Sequence, residues 1–193
     1  TIKKQLGVGG FAHVYKAELI HNSKVFNVSL KLFNREKDQI QFDKQSVSAS
    51  YLRELYANAV LLQRVHQLKN IDLLDSVSVP INKLLCGLIG KHGNGAILFQ
   101  YSQGDSVFNM IKADRTFSKQ QIKSYFSQMV ELVRLLHQCD MVHCDIKIDN
   151  WILDNQIIKL IDFGKAVDLQ LFAADNQQLS FAGYSLRAVS PSP

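Results

Sequence analysis

Phe26, Val28, Leu30 and Leu32 alternate with Asn27, Ser29 and Lys31. That is the period of a strand with one apolar face, and it predicts a strand over residues 24–33 with Lys31 opposite the apolar row. Two earlier strand-like segments, 1–6 and 13–20, flank Gly7-Val8-Gly9-Gly10-Phe11-Ala12, and His21-Asn22-Ser23 reads as the next turn. Leu52, Leu55, Ala59 and Leu62 recur at helical spacing and predict an amphipathic helix over 47–66. The stretch from 69 to 95 is the least informative. Within it Val77-Ser78-Val79 and residues 84–89 read as strands, and His92-Gly93-Asn94-Gly95 as a hairpin turn into a buried strand at 96–100. A short helix follows over 106–113. A longer one opens on a capping box, Ser118 with Gln121, with Phe117 placed to staple Ile122. Its predicted apolar face runs through Ile122, Phe126, Met129, Val133 and Leu136 and ends near Cys139. Trp151-Ile152-Leu153 and Ile157-Ile158-Lys159-Leu160-Ile161 then form a hairpin around Asp154-Asn155-Gln156. Strands, one helix, strands, then helices leading into a hairpin make an α+β chain.

Composition narrows this only a little. With 47% hydrophobic and 20% charged residues over 193 positions, the chain reads as one ordinary globular domain. The net charge of +5 is spread out, with no basic run longer than Lys3-Lys4, so no direct nucleic-acid partner is expected. Cys86, Cys139 and Cys144 are too few and too irregular for a disulfide framework or a zinc site, which points to a reducing compartment. There is no apolar run long enough to span a bilayer and no signal peptide, so no membrane partner is expected. A chain opening directly in a strand is expected to be excised from something longer.

The chemistry gathers at His143-Cys144-Asp145-Ile146-Lys147-Ile148-Asp149-Asn150 and at Asp162-Phe163-Gly164, one on each side of the hairpin. Phosphoryl transfer to a hydroxyl needs such a set. One carboxylate accepts the proton, a cation sits near the moving phosphoryl, and an amide and a second carboxylate hold magnesium. The glycines at 7, 9 and 10 lie at a strand-to-strand turn, where backbone N–H groups approach a phosphate without a Cβ between. A Walker-type loop is excluded, because no Gly-Lys-Ser/Thr closes it and a strand follows. Glu54 is the only acidic residue of the predicted helix and so the only candidate there to pair with Lys31.

In this order these residues resemble the eukaryotic protein-kinase family over the whole chain. His143-Cys144-Asp145 through Asn150, then Asp162-Phe163-Gly164, match H-R-D-L-x-x-x-N and D-F-G with Cys144 in place of Arg. Gly7-x-Gly9-x-x-Ala12-x-Val14 matches the glycine loop except at Ala12, and Val28-Ser29-Leu30-Lys31 parallels V-A-I-K. Within the superfamily the chain is similar to the Bub (budding uninhibited by benzimidazole) family of mitotic checkpoint kinases. That likeness rests on the run from Met141 to Leu153 with a small residue at 144, on Ala166-Val167-Asp168-Leu169-Gln170-Leu171-Phe172, and on Tyr101-Ser102-Gln103-Gly104.

The resemblance implies a bilobal fold. An antiparallel five-stranded small lobe with one helix occupies 1–99, a hinge 100–104, and a mostly helical large lobe, truncated here, 105–193. It implies ATP and Mg²⁺ as cofactors and Ser or Thr of kinetochore or checkpoint proteins as substrates. Checkpoint partners would bind outside this segment, and the protein would sit in nucleus and cytoplasm and at the kinetochore in mitosis. Asp145 would accept the hydroxyl proton, Lys147 neutralise the phosphoryl, and Asn150 and Asp162 hold magnesium. Lys31, steadied by Glu54, would hold the α- and β-phosphates under Gly7, Gly9 and Gly10. Val14 and Ile152 would sandwich adenine, with Leu98 as gatekeeper behind it, Phe99 in the usual acidic place, and the backbone from Tyr101 bonding its edge.

The departures are Ala12, Ser29 in the adenine-ceiling slot, Asn58 where an apolar residue is usual, and Cys144. No Ala-Pro-Glu follows Asp162, so a fragment is expected. Two alternatives stay open: a nucleotide-binding pseudokinase or scaffold, and, less favoured, a small-molecule kinase.

Overall fold

The structure, a computed structural model, describes residues 1–34, 38–42, 45–70 and 80–174. The first elements are β1 (Ile2–Val8), β2 (Ala12–His21) and β3 (Lys24–Phe33). They are joined to β6 (Leu84–Ile89) and β7 (Gly95–Gln100) in one antiparallel sheet of order β1-β2-β3-β7-β6. The β2–β3 connection is a two-residue turn in which Asn22 and Ser23 both have positive φ, 48° and 61°. That geometry matches the twist of the flanking strands. A small ribbon, β4 (Gln39–Phe42) with β5 (Gln45–Ser48), precedes helix α1 (Ala49–Asn70). The expected strand at 77–79 lies outside the described residues.

The sheet meets α1 through the Lys31 side of β3, not through the Phe26 row. Phe33, Ile97 and Phe99 are buried with Val47 and Tyr51, whose ring meets Phe33 edge-on at 5.5 Å. Phe26 is exposed and Leu30 and Leu32 are half-buried, and Val28 with Leu30 packs against Ala17 and Leu98 on the outer face. Gly95 is small because a Cβ there would stand 2.4 Å from the Tyr51 ring.

Helix α1 starts two residues later than predicted, and its buried stripe is Glu54, Ala57, Asn58, Leu61 and Val65, while Ala59 is exposed. Two polar residues in that stripe hide it from an apolar periodicity. Its first turn carries no acidic residue. Asp38, from before the ribbon, accepts hydrogen bonds from the Ser50 backbone N–H (2.8 Å) and from the hydroxyls of Ser48 (2.8 Å) and Ser50, and so caps the helix from a distance. The second half of α1, through Ala57, Leu61 and Val65, joins a different core, that of the helical half. One rigid helix thus touches both halves of the molecule.

The helical half begins with β8 (Asp105–Ser106), α2 (Val107–Lys112), capped by Ser106, and α3 (Lys119–Gln138). The capping box of Ser118 and Gln121 is present in both directions, at 2.9 and 3.2 Å. Phe117 lies edge-on to Tyr125 at 5.8 Å, whereas Ile122, the expected staple partner, is 56% exposed. Leu132, Leu135 and Leu136 are buried, and Phe126 is 65% exposed. The predicted face is met in part: Leu136 is buried and Met129 and Val133 pack against the core, whereas Ile122 and Phe126, nearer the start of α3, are exposed. Beyond α3, β9 (Met141–Val142) pairs with β12 (Val167–Asp168), which leads into α4 (Leu169–Ala174). Between them β10 (Trp151–Asp154) and β11 (Ile157–Leu160) form the expected hairpin, with Asn155 and Gln156 at φ 49° and 68°. The Gln128 side chain ties that hairpin to α3, accepting from Ile158 N–H at 2.9 Å and donating to Gln156 O at 3.1 Å.

Candidate active site

Between the sheet and the helical half lies a cleft of about 850 Å³. The β9–β12 pair closes the base of the loop segment, so residues 143–150 and 162–165 are both delivered to its floor. A 3₁₀ turn, Ile148–Asn150, ends the first of these segments and aims Asn150 back at it. Asn150 Nδ2 donates to Asp145 O at 2.8 Å and to Asp145 Oδ2 at 3.3 Å.

His143 is buried and acts as the peg of the loop. Its Nδ1 accepts the Asp145 N–H at 3.3 Å, so Nε2 carries the proton and donates to Ile161 O at 3.0 Å. Burial holds the ring below its ordinary pKa, and so neutral. Phe163 packs edge-on against it at 4.8 Å. Two residues on the floor adopt the left-handed region, Cys144 at φ 58° and Asp162 at φ 66°. For residues with a Cβ that conformation is uncommon and collects at functional turns.

Lys31 comes down from β3 and meets both carboxylates at the back of the cleft. Its Nζ is 2.5 Å from Glu54 Oε2 and 2.8 Å from Asp162 Oδ1. Burial alone would lower the lysine, but Glu54 and Asp162 outweigh it and hold it above its ordinary value. Glu54 is fully enclosed, and burial pushes it up to about 7, with Lys31 pulling the other way and Asp162 adding to the rise. Asp162 is lowered, because Lys31 outweighs the effect of its burial. Asn58, one turn on from Glu54, donates to its backbone carbonyl at 2.8 Å. It is satisfied within its own helix.

On the floor Asp145 carries two cations. Lys165 Nζ reaches Oδ1 at 2.9 Å and Lys147 Nζ reaches Oδ2 at 3.1 Å. Burial would raise this carboxyl, but the hydrogen bonds from the two lysines outweigh it and keep it below the usual range. Lys165 was not singled out from sequence. Its position directly after Asp162-Phe163-Gly164 is the only signal that could have found it.

Gly7, Gly9, Gly10 and Val14 line the roof, Ile152 the floor, and Tyr101 and Ser102 the connecting segment that follows β7. Gly104 passes so close to the hairpin that a Cβ would stand 1.9 Å from Leu153 O. Ser102 donates to Asn82 Oδ1 at 2.8 Å and receives Lys159 Nζ at 3.2 Å. One expected residue is displaced. Leu98 pairs with Leu30 on the outer face of the sheet, packed with Ala17 and Val28, and it does not line the cleft. Phe99, opposite Ser29, takes that place, and Gln100 follows it in the usual acidic position. A register shift of one residue turns a strand side chain to the other face.

The arrangement supplies a deprotonated carboxylate flanked by cations, and a second carboxylate with an amide oxygen, from Asp162 and Asn150. Those are the hard oxygen donors that magnesium prefers, so the residues fit such an ion. The cations and bare glycine backbone suit a polyphosphate.

The protein kinase domain family matches residues 1–182 of the chain. CBL-interacting protein kinase 11 of Oryza sativa subsp. japonica is 27% identical over 164 residues, 84% of this chain and 28% of that protein. A probable serine/threonine-protein kinase of Dictyostelium discoideum is 27% identical over 183 residues, 94% of this chain and 35% of that protein. Dual specificity protein kinase TTK of Mus musculus is 29% identical over 170 residues, 88% of this chain and 17% of that protein. The chain thus spans about a third or less of the length of these relatives.

Proposed function

The chain belongs to the protein kinase domain family, and on that premise we propose that it transfers the γ-phosphoryl group of Mg-ATP to Ser or Thr hydroxyls of proteins. The observation that carries this is the meeting of Lys31 with both Glu54 and Asp162 while Asp145 and Asn150 face the same cleft. Asp145 orients the substrate hydroxyl and takes its proton, and its depressed pKa keeps it ionised for that task. Lys147, and Lys165 beside it, offset the negative charge of the phosphoryl group. Lys31 holds the α- and β-phosphates. Glycines 7 and 10 have no packing reason to be glycine, since a Cβ at either would meet open space. Their bare backbone serves what enters beneath them. Asn150 and Asp162 would hold the magnesium ion, which would supply positive charge to offset that of the phosphates. Ser29 and Val14 above, Ile152 below and Phe99 behind enclose the adenine.

The finer reading is a Bub-like checkpoint kinase acting on kinetochore or checkpoint proteins, in nucleus and cytoplasm and at the kinetochore in mitosis. Its support is the run from Met141 to Leu153 with Cys144 within it, and the continuation through Asp168 and Leu169. The relatives above carry other kinase names, so this assignment rests on those residues alone.

The test is phosphate transfer by the full chain. Asp145→Asn should keep nucleotide binding and lose about 10²–10⁴ in rate. Asp162→Ala should abolish the magnesium-dependent part of the thermal shift given by ATP. An unchanged rate in the first variant would replace this reading with that of a pseudokinase.

A further inference from the structure

Helix α1 is fastened at three points to the segment that begins at Gly164. Arg53 Nη1 donates to Gly164 O at 3.1 Å, and Tyr56 Oη donates to Asp168 Oδ2 at 2.8 Å. Arg64 grips the same carboxylate with both arms, Nη1 to Oδ1 at 2.9 Å and Nη2 to Oδ2 at 2.7 Å. Asp168 also accepts the Gln170 N–H at 3.0 Å. Four donors therefore fill a buried carboxylate that offers about four lone-pair sites. Arg64 further donates to Cys139 O at 2.8 Å, the end of α3, and to Gln170 Oε1 at 2.9 Å.

The residues so joined lead straight to the active site. Asp168 pairs through its backbone with Met141, two positions before His143. Arg64 is ten residues from Glu54 on one unbroken helix, about 15 Å along its axis. Fixing that helix at 56 and 64 fixes where Glu54 stands. A forked guanidinium–carboxylate pair is directional as well as strong, and so suits holding a rigid element in one orientation.

We propose that the Arg64–Asp168 pair, completed by Tyr56, holds α1 in the position where Glu54 meets Lys31, so that the phosphate-binding lysine is set by a contact built into the fold. Arg64, Asp168 and Tyr56 are positioning residues, acting on the nucleotide only through Glu54 and Lys31. The proposal rests on the kinase reading above.

The test is a mutant cycle in the full chain. It measures kcat/KM for ATP and, separately, the affinity for a fluorescent Mg-nucleotide. Arg64→Ala and Asp168→Asn should each cost about tenfold in both, the size of one charge-assisted hydrogen bond, and the two together no more than either alone. In a Glu54→Gln background Arg64→Ala should add less than about twofold, because the link it serves is already cut. Losses that multiply in that background would overturn the proposal, since a general weakening of the fold gives that result. Wild-type values in Arg64→Ala would overturn it too. If Arg64→Ala fails to melt cooperatively, Asp168→Asn and Arg64→Lys carry the same cycle. If wild type binds nucleotide but transfers no phosphate, the proposed function fails, and the affinity cycle still decides the clamp.

Discussion

Lys165 Nζ stands 2.9 Å from Asp145 Oδ1, so the residue after Asp162-Phe163-Gly164 is paired with the carboxylate that would accept the substrate proton. With Lys147 on the other oxygen, that carboxylate lies below its ordinary pKa. Replacing Lys165 with Met removes one of the two cations and raises the pKa towards the ordinary value. The acid limb of the kcat/KM profile should then move to higher pH, with the plateau changed less. A limb that stays in place would assign the depression to Lys147 alone.

Phe99 and Leu98 separate what the sequence made legible from what it did not. A strand at 96–100 could be read from its apolar run, and β7 spans Gly95–Gln100. Which of its side chains meets the cleft depends on pairing with β3, where Ser29 faces Phe99 and Lys31 faces Ile97 across nearly seventy positions. Composition carries no trace of that register. Phe99→Ala should admit ATP analogues and inhibitors enlarged at the adenine amine. Leu98→Ala should leave nucleotide preference alone and cost about 2 kcal/mol or more of stability, as a buried leucine does. Inhibition curves and thermal melts on the two variants check both halves. Enlarged inhibitors that favour Leu98→Ala would restore the original register.

The local features were legible for a physical reason: the catalytic loop, the capping box and the hairpin are all written within a few residues of chain. What stayed hidden was long-range or polar. Glu54 and Asn58 interrupt the buried stripe of α1, and Arg64 and Asp168 lie 104 positions apart.

Glu54 gives a pH signature of unusual sign for a carboxylate. Its folded-state pKa is raised from 4.5 to about 7, so its contribution to stability is fully present below 4.5 and lost as pH rises through 7. Asp145, Asp162 and Asp168 are all lowered, so their contributions fade only in stronger acid. His143, held below 6.5, acts in the opposite sense to Glu54 over part of the same range. Comparison of wild type with Glu54→Gln isolates the glutamate. Between about pH 5 and 7 the wild-type melting temperature should fall relative to that of the variant as pH rises. Parallel curves would mean that Lys31 keeps Glu54 ionised throughout.

Cys144 bears on how the proposed kinase activity is switched on. In many kinases the Arg at this position pairs with a phosphorylated residue of the activation loop, and the new charge-assisted bonds order that loop. Here the side chain is exposed, not a small buried filler, and it offers no cation. Its thiol is also raised by partial burial of the sulfur, which works against a thiolate role. Meanwhile the start of the loop is already held, by Arg53 at Gly164 and by Arg64 and Tyr56 at Asp168. None of those contacts involves a phosphate. Activity should therefore survive exhaustive phosphatase treatment, with phosphate removal confirmed by mass spectrometry. Ser180, Ser185 and Ser190, the loop serines to follow, lie outside the described residues. If activity vanishes on dephosphorylation and returns when one of them is rephosphorylated, some other cation stands in for the missing Arg and the fold does not hold its own loop.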